Sequence, residues 1–257
     1  MKTLVLSMIS IAATVAAMTA CTSESDPIDE VVNPKDAKVE IKLNTGVGNI
    51  TTKADPVTNS SNIQVSLIRE DVTSPSTPTW TSATPQNYTL SNTIALTGDQ
   101  KYFDNEGKAS YFMGYYPTSG NKQNTTVTFS NMNGETDIIC ATPINAGTKS
   151  APATNETLSF KHMLSQIEIA VKGTTSSNTT FGKVKKISLL NIPSNLDLSL
   201  TNQTVSENDT PNANNIDFFV TASEGEYKDI TELVSIPTKF ILAGYGTSSK
   251  KLTIQIE

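Results

Sequence analysis

The sequence predicts an all-β chain folded as two β-sandwich domains in tandem, and three observations lead there. Apolar residues recur with a period of two, as in Val39-Glu40-Ile41-Lys42-Leu43 and Ile63-Gln64-Val65-Ser66-Leu67. That spacing sends apolar side chains to one sheet face and polar ones to the other. No segment sustains a helical apolar stripe over three turns, which an amphipathic helix would need. Polar turn-forming stretches such as Thr73-Ser74-Pro75-Ser76-Thr77-Pro78-Thr79 separate the runs. Many strands with polar turns and no long helix favour sandwiches over a parallel α/β sheet.

Residues 1–20 read as an export signal. Met1-Lys2 gives a positive start, and Leu4 to Ala17 is apolar but for Ser7, Ser10 and Thr14. The stretch is shorter than the roughly 20 apolar residues that span a bilayer core. Small residues lead directly into Cys21, the layout that a bacterial lipoprotein signal requires. Cys21 is therefore the expected lipidation site, and its acyl chains would tether the exported mature chain. The acidic, Pro-containing stretch over residues 21–37 reads as a flexible tether.

Ordered structure is expected from Lys38. Strands are predicted over Val39–Leu43, Ile63–Leu67, Ser110–Tyr116, Thr125–Phe129, Gln166–Val171, Val184–Leu190, Leu196–Leu200, Ile216–Val220, Lys239–Leu242 and Leu252–Ile256. At most, Leu158–Leu164 and Tyr227–Leu233 have the composition for one helical turn each. The polar connection over Asn145–Glu156 suggests a division after it, with sandwiches over residues 38–157 and 158–257. The last run stops without a closing turn, so the second sandwich is expected to be truncated in this sequence or to take its final strands from elsewhere.

Composition narrows the function classes. Charged residues make up 17% of the chain, the formal net charge is −6, and no basic block occurs. Nucleic acid is therefore not an expected partner. Thr, Ser and Asn solvate the surface instead, which suits an extracellular β protein.

The residues with chemical potential are few. His162 is the one histidine, so a multi-histidine metal site is excluded, and no cofactor is expected. Nucleophile-elbow, phosphate-loop, dinucleotide-binding and EF-hand patterns are all missing. A structural, hydrogen-bonded role is expected for His162, and the loop carboxylates Asp99, Asp104 and Glu106 read as solvated acids. With Cys21 acylated, Cys140 has no internal disulfide partner; its apolar setting, Ile138-Ile139-Cys140-Ala141, reads as a small buried hydrophobe. The aromatic run Tyr111-Phe112-Met113-Gly114-Tyr115-Tyr116 fits a core strand better than a sugar-stacking platform. An enzyme is not expected.

Several stretches nevertheless resemble one family. Lys101-Tyr102-Phe103-Asp104-Asn105-Glu106-Gly107-Lys108, followed by a strand ending Gly114-Tyr115-Tyr116-Pro117, is similar to the first domain of Bacteroidetes fimbrillins. Thr136-Asp137-Ile138-Ile139-Cys140-Ala141 resembles the next strand there. Phe160-Lys161-His162-Met163-Leu164-Ser165 resembles that family's F-x-H-x-L-S motif between two domains.

The resemblance implies a type V pilus subunit: two transthyretin-like sandwiches, exported as a lipoprotein and displayed on the cell surface in a fimbria that serves adhesion. It implies removal of an early strand by a protease, with a strand from another pilin subunit filling the groove. Carried to this chain, the removable strand is Val39–Leu43, with Val39, Ile41 and Leu43 as inward plugs. The processing loop is Asn44–Asp55, where Lys53 stands in place of the arginine that the family cuts. The one arginine, Arg69, is the other candidate processing position, and it follows an apolar strand. Either a lysine-tolerant protease cuts the loop, or the subunit stays uncut as an anchor or accessory member. A rival reading is a surface lipoprotein that binds glycans or other pilus subunits. The partners implied are pilin subunits, the outer membrane through the lipid, and a receptor on a host or bacterial surface.

Overall fold

The structure is a computed structural model that describes residues 37–48, 62–154, 156–174, 176, 182–208, 213–229, 234–242 and 251–257. Its first ten strands are β1 (Leu43–Val47), β2 (Gln64–Val72), β3 (Gln86–Thr89), β4 (Thr93–Ile94), β5 (Ala109–Tyr116), β6 (Asn121–Gln123), β7 (Thr126–Phe129), β8 (Ile139–Ala141), β9 (Ile144–Asn145) and β10 (Thr157–His162). Then come β11 (Leu164–Ile167), β12 (Ala170–Val171), β13 (Lys186–Pro193), β14 (Leu196–Ser199), β15 (Thr204–Glu207), β16 (Ala213–Val220), β17 (Val234–Ser235), β18 (Lys239–Leu242) and β19 (Thr253–Ile256). Short 3-10 turns occur at Gly98–Lys101 and Glu224–Glu226. The chain is all-β, as its periodicity predicts. Among the described residues no helix is long and apolar enough to cross a membrane.

An eight-stranded sheet runs β3-β2-β5-β8-β10-β1-β4, with β9 also on β5. Its pairings are antiparallel except β1 with β10, which is parallel. One apolar cluster holds Leu43, Val65, Leu67, Ile94, Phe112, Ile139, Leu158 and Phe160, so the sheet closes over its own face. A second cluster lies on the opposite face: Ile68, Met113, Tyr115 and Cys140 meet Val127, Phe129, Leu196 and Leu198 from the four-stranded sheet β15-β14-β7-β6. A third packs the β16-β13-β19 sheet through Ile187, Leu189, Ile216 and Phe218 against Ile169, Ile236 and Ile241.

Several boundaries differ from the sequence reading, each for a physical reason. The run Val39–Leu43 joins the ladder only at Leu43 and continues to Val47. Residues 39–41 bond instead to the loop around Lys101–Phe103. Leu158–His162 is strand rather than a helical turn, because the Leu158 and Phe160 side chains alternate into the first cluster. The expected division at Leu158 falls inside β10, which pairs with β1 and β8. Hydrogen bonds also cross that division where Leu196–Ser199 pairs with Thr126–Phe129. The run Gln166–Val171 breaks in two as the chain changes partner, β11 pairing with β18 and β12 with β17.

Candidate functional site

The segment from Val39 to Gly48 is held along both edges by main-chain bonds. On one side, the Ile41 amide donates to the Lys101 carbonyl at 2.9 Å, the Phe103 amide to the Val39 carbonyl at 3.0 Å, and the Thr45 amide to the Asn92 carbonyl at 2.9 Å. On the other, the parallel register sets Asn44 opposite Thr157, Thr45 opposite Leu158, Gly46 opposite Ser159 and Val47 opposite Phe160. The Gly48 amide closes this edge with a 2.9 Å bond to the Phe160 carbonyl.

The alternation gives the segment an inward row. Ile41 and Leu43 are buried, and Val39 and Val47 pack partly covered against the same cluster. Burying each of the two larger side chains stabilises the fold by roughly 1.5–3 kcal/mol. Thr45, also buried, donates its hydroxyl to the Ser91 carbonyl. Lys42 points outward and is exposed. Beside the segment lies a cavity of about 330 Å³ lined by Glu40, Ile41, Asn44, Phe103, Ala146 and Pro152.

Two side-chain clusters fix the groove in which this segment lies. At its far end, His162 closes β10; its Nε2 lies 3.0 Å from the Gly48 carbonyl and donates to it, because a carbonyl only accepts. Its Nδ1 makes a close contact with Oδ2 of Asp137, and both side chains are almost fully covered. Burial pushes the Asp137 carboxyl above its usual range, opposed by the bond to His162. At the near end, Arg69 holds the loop that straps the segment. Its guanidinium donates to the carbonyls of Asp99 at 2.7 Å and Tyr102 at 2.8 Å, pairs with Asp71 at 2.8 Å and reaches the Ser110 hydroxyl at 3.1 Å. On the surface, Lys101 pairs with Glu40 at 2.9 Å, and that bond raises the lysine's pKa.

The other residues singled out from the sequence are widely spread. Cys21 and Lys53 lie outside the described residues. Arg69 sits in β2, paired with β5 and with its side chain nearly covered. Cys140 is buried, and burial pushes its thiol up to about 12. Phe112, Met113 and Tyr115 are buried on alternate faces of β5, while Tyr111 and Tyr116 are partly covered. Asp104 accepts the Glu106 amide at 2.6 Å, and both carboxylates pair with Lys108. Among the described residues no cluster of three His, Cys, Asp or Glu is placed to hold a metal ion.

Sequence reasoning passed over Thr45 and Val47, although continuing the alternation past Leu43 reaches both. It also left out the straps, residues 91–94 and 101–103, and Asp137 as the partner of His162. Those contacts join positions far apart in the chain, where periodicity carries no signal.

An all-β chain with apolar clusters on both faces of a large sheet, and an early strand threaded between two others, is a protein of the β-sandwich class. The chain belongs to the fimbrillin-like family, whose model matches residues 45–257. Among solved structures, it is similar to a candidate cell adhesion protein from Bacteroides ovatus, with 12% identity over 86% of each chain and a TM-score of 0.54. A candidate cell adhesion protein from Bacteroides uniformis gives 14% identity over 85% of this chain and 80% of that one, TM-score 0.51. A candidate polysaccharide-binding protein from Bacteroides thetaiotaomicron gives 10% identity over 84% and 75%, TM-score 0.50. At these identities the likeness is one of fold. No curated protein matches the chain significantly.

Proposed function

We propose that this chain is a structural subunit of a type V pilus, exported as a lipoprotein through Cys21, displayed on the outer membrane and assembled by strand replacement in a fimbria that serves adhesion. The observation that carries the reading is the segment Val39–Val47. It buries an alternating row, pairs with β10 on one side over Asn44–Val47, and bonds on the other side to β4 and the Lys101–Phe103 loop. Loss of such a strand exposes unpaired N–H and C=O groups beside apolar surface, which strongly favours refilling by another extended strand. Lys53, five residues beyond Gly48 in sequence, is the processing position in this reading. Arg69 is a poor one, since a protease needs an accessible extended segment and this side chain is bound on several sides.

Intact mass and N-terminal sequencing of the protein shed from the native cell surface test the proposal. A terminus within residues 49–55 supports release of the first strand. A mature form that still begins at acylated Cys21 overturns strand release for this subunit.

A second reading has its own observation. The one arginine of the chain is committed to the interior of the first sheet, so a subunit exposed only to an arginine-specific protease keeps its strand. It then serves as a pilus anchor or as a surface lipoprotein that binds glycans, the ligand class named for the Bacteroides thetaiotaomicron structure. Concentration-dependent ladders in unboiled gels favour the polymer; sugar-dependent retention on a glycan column favours the binder.

A further inference from the structure

The backbone ladder around β1 does not read sequence, and it repeats every two residues. A slip of one residue turns the inward row outward and is excluded by burial. A slip of two keeps apolar side chains inside, because Val39, Ile41, Leu43 and Val47 are interchangeable to a first approximation. Some feature must therefore select among even-numbered registers.

Thr45 is the one polar member of that row. It is buried opposite Leu158, between Leu43 and Val47, and its hydroxyl donates to the Ser91 carbonyl of the strap before β4. Sliding the strand by two residues in either direction brings Leu43 or Val47 to this carbonyl. It also carries the Thr45 hydroxyl to a place beside Phe160 or Ile94, both apolar. A buried hydroxyl without a partner is unfavourable. We infer that Thr45 is the register peg of this groove. The groove is thus specific for an extended strand of another subunit that reads apolar-x-apolar-x-Ser/Thr-x-apolar. The extension to an incoming strand rests on the strand-replacement reading above; the role of Thr45 within its own chain does not.

Three of the chain's other alternating rows lack this feature. Ile63-Val65-Leu67 is followed two residues on by Arg69, Ile167-Ile169-Val171 by Gly173, and Leu196-Leu198-Leu200 by Asn202. None of the three offers a hydroxyl at the required place; Val234-Ile236-Thr238-Phe240 does, but its Pro237 lacks a main-chain donor.

The test uses the full chain with paired cysteines on the outward face, mapped by mass spectrometry. Asn44→Cys with Thr157→Cys reports the native register, and Asn44→Cys with Ser159→Cys reports a two-residue slip. With Thr45, and with Thr45→Ser, the native cross-link should dominate. Thr45→Val, equal in shape and more apolar, should raise the slipped cross-link about tenfold. Should Thr45→Val fail to fold, the double variant Leu43→Thr/Thr45→Leu moves the hydroxyl by two residues and should move the cross-link with it. Unchanged register in either folded variant, with stability equal to or above that of the parent, overturns the peg. In trans, a chain cut in the loop should take up a peptide of residues 38–48 and reject its Thr45→Val form. Equal uptake of both peptides overturns the specificity. Uptake of neither, with the cross-link result intact, leaves the peg standing and overturns strand replacement.

Discussion

Nε2 of His162 lies 3.0 Å from the carbonyl oxygen of Gly48, joining residues 114 positions apart in the chain. The bond fixes the end of β1 to the end of β10, where the parallel ladder runs out. Asp137 on the other side of the ring holds the imidazole in place. Truncating His162→Ala removes the donor to Gly48 and leaves a covered carboxylate without its partner. The expected loss is about 3 kcal/mol, typical for breaking a buried pair from one side. Chemical denaturation measures it, and Asp137→Asn/His162→Ala should lose clearly less than the two single variants summed. Hydrogen exchange should rise first at Asn44 to Gly48. A loss spread evenly over the fold would rule out a latch on this strand.

Arg69 supports the opposite end through geometry that lysine lacks. One guanidinium reaches Asp71, the Ser110 hydroxyl and the carbonyls of Asp99 and Tyr102. A lysine ammonium keeps the charge without the planar fork. Arg69→Lys should therefore destabilise by about 1–2 kcal/mol, in line with the loss of one or two charge-assisted bonds. The effect should be local, with faster exchange at Gly98 to Phe103 and at Val39 to Ile41. Uniform protection in that region would mean that the loop holds itself.

Strand β2 and the segment Val39–Val47 differ in how far their structure is legible in the sequence. Val65 and Leu67 announce β2 by alternation, and both are buried. Ser66 between them should face water by the same rule, yet it is buried and donates to Asn87 at 2.9 Å. The rule fails because a second sheet covers the other face. That sheet pairs Val127 with Leu198, a contact between segments some seventy residues apart that no local pattern encodes. At the site, Ile41 and Leu43 were legible as inward residues from spacing alone. Thr45 was not, because a hydroxyl in an apolar row reads as a break until its carbonyl partner is known. The aromatic strand β5 was legible as core, since Phe112 and Tyr115 send their rings to opposite covered faces.

The inward row makes a graded prediction. Leu43 is 2% exposed and Ile41 5%, so Leu43→Ala or Ile41→Ala should cost about 2–5 kcal/mol each. Lys42→Ala, on the outer face between them, should change stability by less than about 0.5 kcal/mol. Thermal or denaturant unfolding of the three variants provides the comparison. Equal effects at all three positions would show that the segment contributes little as an inserted strand.

Cys140 supplies a pH test with a defined sign. Burial raises its thiol from 9.0 to about 12 in the folded chain, while the unfolded chain ionises it near its ordinary value. The folded state therefore holds this proton over a window in which the unfolded state releases it. Stability attributable to this thiol is complete below pH 9, declines as pH rises from 9 towards 12, and is lost above that. The slope should approach about 1.4 kcal/mol per pH unit in mid-window. Denaturation midpoints of the parent chain and of Cys140→Ala, followed from pH 7 to 11, isolate the contribution, since groups common to both cancel in the difference. The gap between the two should narrow or reverse at high pH. Below that window, thiol reagents at pH 8 should label Cys140 only as fast as the chain opens. Rapid labelling of the folded chain, or a difference that stays constant with pH, would place the thiol in contact with solvent rather than between the first sheet and the β7–β14 pair.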